Sequence, residues 1–476
     1  MNPNGHPFQF HELPVPARVK ERAHHLIPGG CHTYAKGDDQ YPILAPGFIA
    51  RGAGCRVWDT DGREYVEYGM GNRAVGLGHA FPAVLEAVQR ALRHGVNFTR
   101  PAPIEVACAE QFLDLIDGAE MVKFCKDGSD ATSGAVRLAR AYTGRDLIAC
   151  CADHPFFSTD DWFIGTTAMN AGIPAAVRQL TLTFRYGDLA GAAALFAQHP
   201  GRIAALILEP ARTADPPAGY LQALQRLCHD HGALLILDEM ITGFRWHNGG
   251  AQKLYGSVPD LATFGKAMAN GFSVSALAGR REFMRLGGLA HHDRPRVFLL
   301  STTHGAETHA LAAALATMQV YQREGVIEHL YRQGTRLRQQ AEDVIRRHGL
   351  SEFVQILGKA CCLSYTTLDQ ERRPSQAFRT LFLQETIRRG ILMPSLVVSY
   401  AHAEEDIDRT VAALDGALGI YRRALDEGVE RYLIGRPSQT VYRRYNRPDQ
   451  SAQAPHRRGE EEAGGRATDP PARISA

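Results

Sequence analysis

A marked excess of charge is absent from this 476-residue chain, whose 53 basic and 51 acidic side chains leave a formal net charge of +2. Without a one-signed field it has no long-range pull toward nucleic acid or an anionic membrane, so neither is an expected partner. Long hydrophobic runs are missing too, and no apolar stretch approaches the roughly 20 residues that cross a bilayer. The opening Met1-Asn2-Pro3-Asn4-Gly5-His6 lacks a charged region followed by an apolar one, so no secretory signal is read there. No two cysteines stand in a C-x-x-C spacing. The nine cysteines are odd in number and lie in apolar runs, including the vicinal pairs Cys150-Cys151 and Cys361-Cys362. That pattern excludes a disulfide framework and suits reduced core thiols in a cytoplasmic protein.

Nucleotide fingerprints are lacking as well. Gly69-Met70-Gly71 followed by Gly76 misses G-x-G-x-x-G and follows a hairpin rather than opening a helix, which disfavours a dehydrogenase. No metal is expected: His24-His25 and His291-His292-Asp293 find no second cluster at ligand spacing and read as loop or surface residues. His229 and His231, two apart on a helix, cannot share a face.

What is present has a clear order. The stretch Val15 to Ile27 predicts a short helix closed by Pro28-Gly29-Gly30. Cys55 to Asp59 and Glu64 to Tyr68, flanking Thr60-Asp61-Gly62, predict a hairpin. Four short runs, Met121 to Phe124, Leu147 to Cys150, Ile203 to Leu208 and Ala233 to Leu237, are apolar on both faces and separated by amphipathic helices. Such runs predict buried parallel strands, hence an α/β domain with helices on both sides of the sheet. Further on, Val326 to His348 predicts one long helix, Phe353 to Ile356 and Cys361 to Leu363 predict strands, and helices follow from Phe378 and Glu404. The expected organisation is a large domain over 71–310 and a smaller α+β domain built from 1–70 and 311–434. A polar tail over 435–476 is expected to be disordered, with Tyr442 to Arg447 readable as a docking strand.

Three features carry chemistry. Lys126-Asp127-Gly128-Ser129-Asp130-Ala131 joins a buried strand to the helix Thr132 to Tyr142; Gly128 permits close backbone approach, and Ser129 and Asp130 can cap the helix. Exposed N–H groups there could cradle a phosphate, although an ordinary capped turn would look the same and the P-loop spacing is absent. Asp238 stands at the carboxyl end of the run Ala233 to Leu237, where open α/β sheets bind ligands, and a buried carboxylate there calls for a cationic partner. A pyridinium nitrogen is one such partner; a helix-capping or salt-bridged aspartate is the ordinary alternative. Lys266 lies among small and apolar neighbours in Phe264-Gly265-Lys266-Ala267-Met268, where desolvation would free its lone pair for Schiff-base chemistry.

Three longer strings extend this pattern: Val136 to Asp146, Leu237 to Arg245, and Pro259-Asp260-Leu261 through Lys266. With them the sequence, from about Ile27 to Leu418, resembles the class III, fold-type I pyridoxal-phosphate (PLP) aminotransferases. Within these it is most similar to the branch containing glutamate-1-semialdehyde 2,1-aminomutase. The resemblance implies that Lys266 carries the cofactor and shuttles the proton, that Asp238 pairs with the pyridinium nitrogen, and that Glu239 supports the site. It implies that Gly128, Ser129 and Asp130 hold the phosphate and that Phe156 stacks on the ring, with Phe157 where the family has histidine. The family's Gly-Thr segment, which reaches the neighbouring subunit's phosphate, falls on Ser301-Thr302-Thr303, implying a homodimer with shared active sites.

The sequence departs from the aminomutase pattern at Cys31-His32-Thr33-Tyr34-Ala35-Lys36, which lacks the family arginine able to bind a substrate carboxylate, and at His304-Gly305-Ala306-Glu307. His32, Tyr34, Lys36, His304 and Glu307 would suit a sugar-like, polyhydroxylated substrate. The expected activity is amino transfer between an amino donor and an aldehyde or ketone acceptor. The alternatives are intramolecular transfer, as in an aminomutase, and a silent PLP-binding protein.

Overall fold

The computed structural model describes residues 19–444. Its centre is a seven-stranded sheet, and the strands are best named along the whole chain. They are β1 (Ile49–Ala53), β2 (Arg56–Asp59), β3 (Glu64–Glu67), β4 (Met121–Cys125), β5 (Leu147–Cys151), β6 (Thr181–Phe184), β7 (Ile203–Leu208), β8 (Leu234–Asp238), β9 (Leu261–Phe264), β10 (Ser275–Gly279), β11 (Val354–Leu357), β12 (Ser364–Thr367) and β13 (Ile391–Leu392). The large sheet has the order β4-β10-β9-β8-β7-β5-β6. Strands β9, β8, β7, β5 and β6 are mutually parallel, whereas β10 is antiparallel to both β9 and β4. It follows that β4 runs with the other five, and β10 alone runs against them.

Every residue of β5, β7 and β8 is buried. Such strands must be apolar on both faces, and each buried Leu or Ile contributes about 1.5–3 kcal/mol. Met121 to Phe124 differs from that expectation: β4 pairs only with β10, antiparallel, and its first three residues are half-covered. Edge position explains this, since one flank of the strand has no partner in the sheet. Strands β6, β9 and β10 were not read from the sequence; each is only four or five residues long and too short to show a period.

A second sheet, β1-β2-β3-β13, begins with the hairpin around Gly62 and adds β13 in parallel to β3. It ties the N-terminal strands to the chain beyond residue 390. The long helix forms at Val326–Arg347, and others form at Gln376–Arg388 and Glu404–Glu427. The run Cys361 to Leu363 is not a strand: Ala360–Cys362 is a 3₁₀ turn leading into β12, which pairs antiparallel with β11. Its apolar character comes from burial against the long helix, where a Cβ on Gly334 would lie 1.8 Å from the Ala360 carbonyl oxygen. Burial alone does not distinguish a turn from a strand.

The first helix covers Val19–Leu26, and its expected beginning at Val15 lies outside the described residues. Residues 435–444, expected to be part of a disordered tail, are held in place instead. The Ser438 N–H donates to Thr380 Oγ1 at 2.8 Å, and Arg443 pairs with Asp39 at 2.8 Å. Tyr442 and its neighbours up to Arg444 form no strand; Arg447 and the rest of the expected tail lie outside the described residues. No helix among the described residues is long and apolar enough to cross a membrane. All nine cysteines are free thiols and eight are buried.

Candidate active site

Adjacent parallel strands deliver acidic and basic groups to one edge of the large sheet. Glu209 follows β7 directly, Asp238 ends β8, and Lys266 comes two residues after β9. Asp238 pairs in register with Thr263 of β9. The Thr263 hydroxyl donates to Asp238 Oδ1 at 3.1 Å, and the Met240 N–H donates to the same oxygen at 3.0 Å. Both Asp238 and Glu209 are buried, and Glu209 Oε2 has no hydrogen-bond partner. Arg212 reaches Glu209 Oε1 at 3.2 Å, and the Glu209 N–H donates to His154 Nδ1 at 3.0 Å.

The electrostatics follow from this crowding. Burial, reinforced by the Glu209 charge, pushes the Asp238 carboxyl up to about 7, while Lys266 and the two hydrogen bonds pull the other way. Burial holds the Lys266 ammonium below its ordinary range, against the opposing attraction of Asp238 and Glu209; Arg73 and Arg245 push it further down. The site therefore holds a carboxyl that wants a cation and an amine able to shed its proton. Beside them Glu239 is pushed up to about 7 by burial, while it accepts hydrogen bonds from Thr242, Ala251 and Gln252. Its part is to tie the segment after β8 to the start of the helix Gly250–Leu254.

The turn bearing Lys266 is unusual in its backbone. Lys266 and Asn270 both have φ of +47°, a left-handed conformation that Asn tolerates and lysine does not favour. Such strain persists only where surrounding structure fixes it. Asn270 does so: its Oδ1 accepts from the Leu77 N–H and its Nδ2 donates to the Gly78 carbonyl, both at 2.9 Å.

The turn after β4 opens the helix Gly128–Thr143 at the same sheet edge, but its cap is not the expected one. Asp127 Oδ1 accepts from the N–H groups of Ser129 at 2.8 Å and Asp130 at 3.1 Å. The Asp130 carboxylate turns back to the Lys126 N–H, and Ser129 Oγ accepts from the Thr159 N–H. Asp127 wins because an aspartate just before the first turn is the stronger N-cap. Space is tight at Gly128, where a Cβ would meet the Met240 sulfur at 3.0 Å.

The chain matches the family described as "Aminotransferase class-III" over residues 34–156 and 162–414. It belongs to that family. Among its relatives, the glutamate-1-semialdehyde 2,1-aminomutase of Desulforamulus reducens is 34% identical over 433 residues, covering 86% of this chain and 97% of that protein. An aminomutase of Thermus thermophilus is 33% identical over 431 residues, covering 86% of this chain and 100% of its own. In fold, the chain is similar to the FumI protein of Sphingopyxis sp. MTA144, solved in its PLP internal aldimine form, with TM-score 0.79, 28% identity and coverage of 86% and 97%. An omega-transaminase from Sphaerobacter thermophilus gives TM-score 0.76 at 28% identity, covering 85% of this chain and 97% of that one.

In this aminotransferase-family chain the remaining predicted residues fall into separate groups. Phe156 is 44% exposed and packs edge-on against Phe163, with ring centres 5.8 Å apart, while Phe157 is buried in the core. Thr302 and Thr303 are exposed and line a cavity of about 570 Å³ with Asn97 and Arg100, away from Lys266 of the same chain. Glu307 pairs with Lys126 and, at 3.3 Å, with His304; Lys126 holds the Glu307 carboxyl below the usual range. Lys36 lines a different cavity, of about 410 Å³, beside Glu67 and Asn72, whereas His32 and Tyr34 point to exposed positions. The structure thus brings His304 and Glu307 together and does not join them to His32, Tyr34 and Lys36.

Glu209, His154, Arg73, Arg245 and Asn270 were not singled out in the sequence. Glu209 was findable by the rule that found Asp238, a carboxylate ending an apolar strand. The others act through contacts between distant segments. His291 lies in a loop, as expected, but is buried there, with its Nε2 3.2 Å from the Leu286 carbonyl oxygen. His229 meets the buried Asp260, and His231 stacks on Phe196. Among the described residues no three His, Cys, Asp or Glu side chains are grouped to hold a metal ion.

Proposed function

We propose that this protein is a PLP-dependent transaminase that moves an amino group from a donor to an aldehyde or ketone. The observation that carries this is the buried Asp238 and the half-buried Lys266, brought to the carboxyl edge of the adjacent strands β8 and β9. The site fits the cofactor on its own terms. Asp238 needs a cationic partner, which a protonated pyridine nitrogen is; Lys266 offers a desolvated amine. The Ser129 and Asp130 N–H groups at the start of the helix Gly128–Thr143 are held by the Asp127 carboxylate, which would have to yield them to a phosphate. When bound, PLP supplies an aldehyde that condenses with primary amines and a ring that draws electrons from the neighbouring carbon.

The protein's own groups do the rest. Lys266 Nζ, kept short of protons by burial, would be the group that accepts the proton leaving the donor carbon and hands it on to the cofactor carbon. Asp238 stays ionised against a ring cation and keeps that charge in place. Met240 and Thr263 fix its orientation. Phe156 would supply the aromatic face for the ring, with Gly128, Ser129 and Asp130 at the phosphate end and Glu239 as support.

Intermolecular transfer is favoured over the aminomutase reaction because Cys31 to Lys36 and His304 to Glu307 depart from the aminomutase strings. A polyhydroxylated acceptor is supported by Lys36 at its cavity. The test is the visible spectrum of the cofactor-loaded protein, titrated with amino donors one at a time. A donor should bleach the band, and a keto- or aldehydo-sugar should restore it, less readily in Lys36→Ala. A band that no donor changes would remove the transaminase reading, and unaltered recovery in Lys36→Ala would remove the sugar.

Exposure of Thr302 and Thr303 in a single chain supports a homodimer in which each reaches a neighbour's phosphate. Sedimentation of the cofactor-loaded protein should give twice the 52.2 kDa chain mass. A monomer with full activity would refute shared sites.

A further inference from the structure

Strand register sets a second carboxylate beside Asp238. Leu208 of β7 pairs in parallel with Leu237 of β8, and Asp238 pairs in turn with Thr263 of β9. One residue further along, Glu209 comes opposite Asp238, on strands about 4.8 Å apart. Residues in register on parallel neighbours point to the same face, as Thr263 does when its hydroxyl bonds Asp238. Both acids are 3% exposed, so little water stands by to screen their charges. Two carboxylates so placed resist ionising together, and the pair favours holding one proton.

The surroundings decide which of the two carries it. Glu209 has a cation, since Arg212 Nη1 lies 3.2 Å from its Oε1, while its buried Oε2 has no partner. Asp238 is hydrogen-bonded only by uncharged donors, the Thr263 hydroxyl and the Met240 N–H, and both fall on Oδ1. Oδ2 is left to hold the proton. The other titratable groups at this edge do not displace it. His154 accepts the Glu209 N–H on Nδ1, so its ring is neutral there, and burial holds it below its ordinary range. Glu239 is turned to Thr242 and to the N–H groups of Ala251 and Gln252. Lys266 attracts the charge of Asp238 but is outweighed by burial together with Glu209.

We propose that Glu209 is a positioning residue that keeps one proton on Asp238 in the cofactor-free chain, ready for the pyridine nitrogen of PLP. This deepens the reading given above and rests on it for the arrival of a ring at Asp238. The transfer balances without solvent. The Asp238 O–H bond breaks, an N–H bond forms on the ring, and the carboxylate left behind faces the new cation.

The test uses cofactor-free protein and 4′-deoxypyridoxine 5′-phosphate, which has the ring and phosphate of PLP but no aldehyde, so Lys266 adds no Schiff-base proton. Calorimetry near pH 6.5, just below the Asp238 midpoint of about 7, counts the protons taken up in buffers of different ionisation enthalpy. Glu209→Gln should take up more than wild type, by on the order of half a proton per site, because its Asp238 is less often protonated beforehand. The probe is the same in both, so the difference belongs to the protein. In the Asp238→Asn background the same substitution should leave the count unchanged, which a structural role for Glu209 would not produce. Infrared difference spectra need no Glu209 variant: binding should abolish a protonated-carboxyl band in wild type and none in Asp238→Asn. Equal proton counts for wild type and Glu209→Gln, or no carboxyl band lost in wild type on binding, overturns the proposal. If the probe does not bind, acidification through pH 7 can still raise a carboxyl band in wild type that Asp238→Asn lacks and Glu209→Gln shows only at lower pH. The shared proton then stands and the cofactor reading falls; without that band both fall.

Discussion

Replacing Lys266 with alanine should lower turnover by at least about 10⁴-fold while leaving the melting temperature unchanged or slightly raised. The size follows from the two tasks given to one atom. Lys266 Nζ is both the nucleophilic amine and the group that moves the proton, and a positioned acid–base group alone contributes roughly 10²–10⁴-fold. The stability expectation follows from burial. Desolvation already holds the ammonium below its ordinary range, so the folded chain gains little from this amine. The scaffold does not depend on it either, because Asn270 closes the turn through Leu77 and Gly78. Single-turnover kinetics with a donor that bleaches the wild-type band, run beside a thermal melt, separate the two effects. A variant that keeps a tenth of the wild-type rate would mean that another group does the chemistry. A collapse in melting temperature would mean that Lys266 is structural.

The legible parts of this molecule were those written in consecutive residues. β5, β7 and β8 are apolar throughout because both faces are covered, and Asp238 and Lys266 contrast with such surroundings. Glu209 obeyed the same rule and was passed over, although its charge helps to set the state of Asp238. What could not be read depends on pairs far apart in the chain. Asn270 acts on residues 193 and 192 positions away, and Lys126 meets Glu307 across 181. The left-handed turn at residues 70–73 was hidden for another reason. Met70 and Arg73 are poor residues for positive φ, so local preference pointed elsewhere and tertiary contacts overrode it. The cap at Asp127 was misassigned to its neighbours because three adjacent polar residues all can cap, and only geometry chooses.

Asp238→Asn should cost turnover roughly 10³-fold and yet stabilise the cofactor-free protein at alkaline pH. The activity loss follows from removing a buried charge that holds the ring cation, an electrostatic contribution typically worth 10²–10³-fold. The stability gain needs its sign worked out. The Asp238 carboxyl moves from an ordinary 3.8 to about 7 on folding. Between those values the folded chain keeps a proton that the unfolded chain has released, so stability falls as pH rises through that window. Above pH 7 the full penalty of a buried carboxylate is in place, about 4 kcal/mol at the upper limit. Asparagine keeps the oxygen that accepts from Met240 and Thr263 but carries no charge, so the penalty disappears. The variant should therefore melt several degrees above wild type at pH 8 and equal to it near pH 4. Some slope should persist in the variant, since Glu239 is also pushed up to about 7. Adding PLP should reverse the order at pH 8, because a ring cation compensates the aspartate and finds no partner in asparagine. Melts across pH 4 to 8, with and without PLP, decide the matter. If the two proteins melt alike at pH 8 without cofactor, Asp238 is already neutralised from within the fold, and its pairing with a pyridinium loses its physical basis.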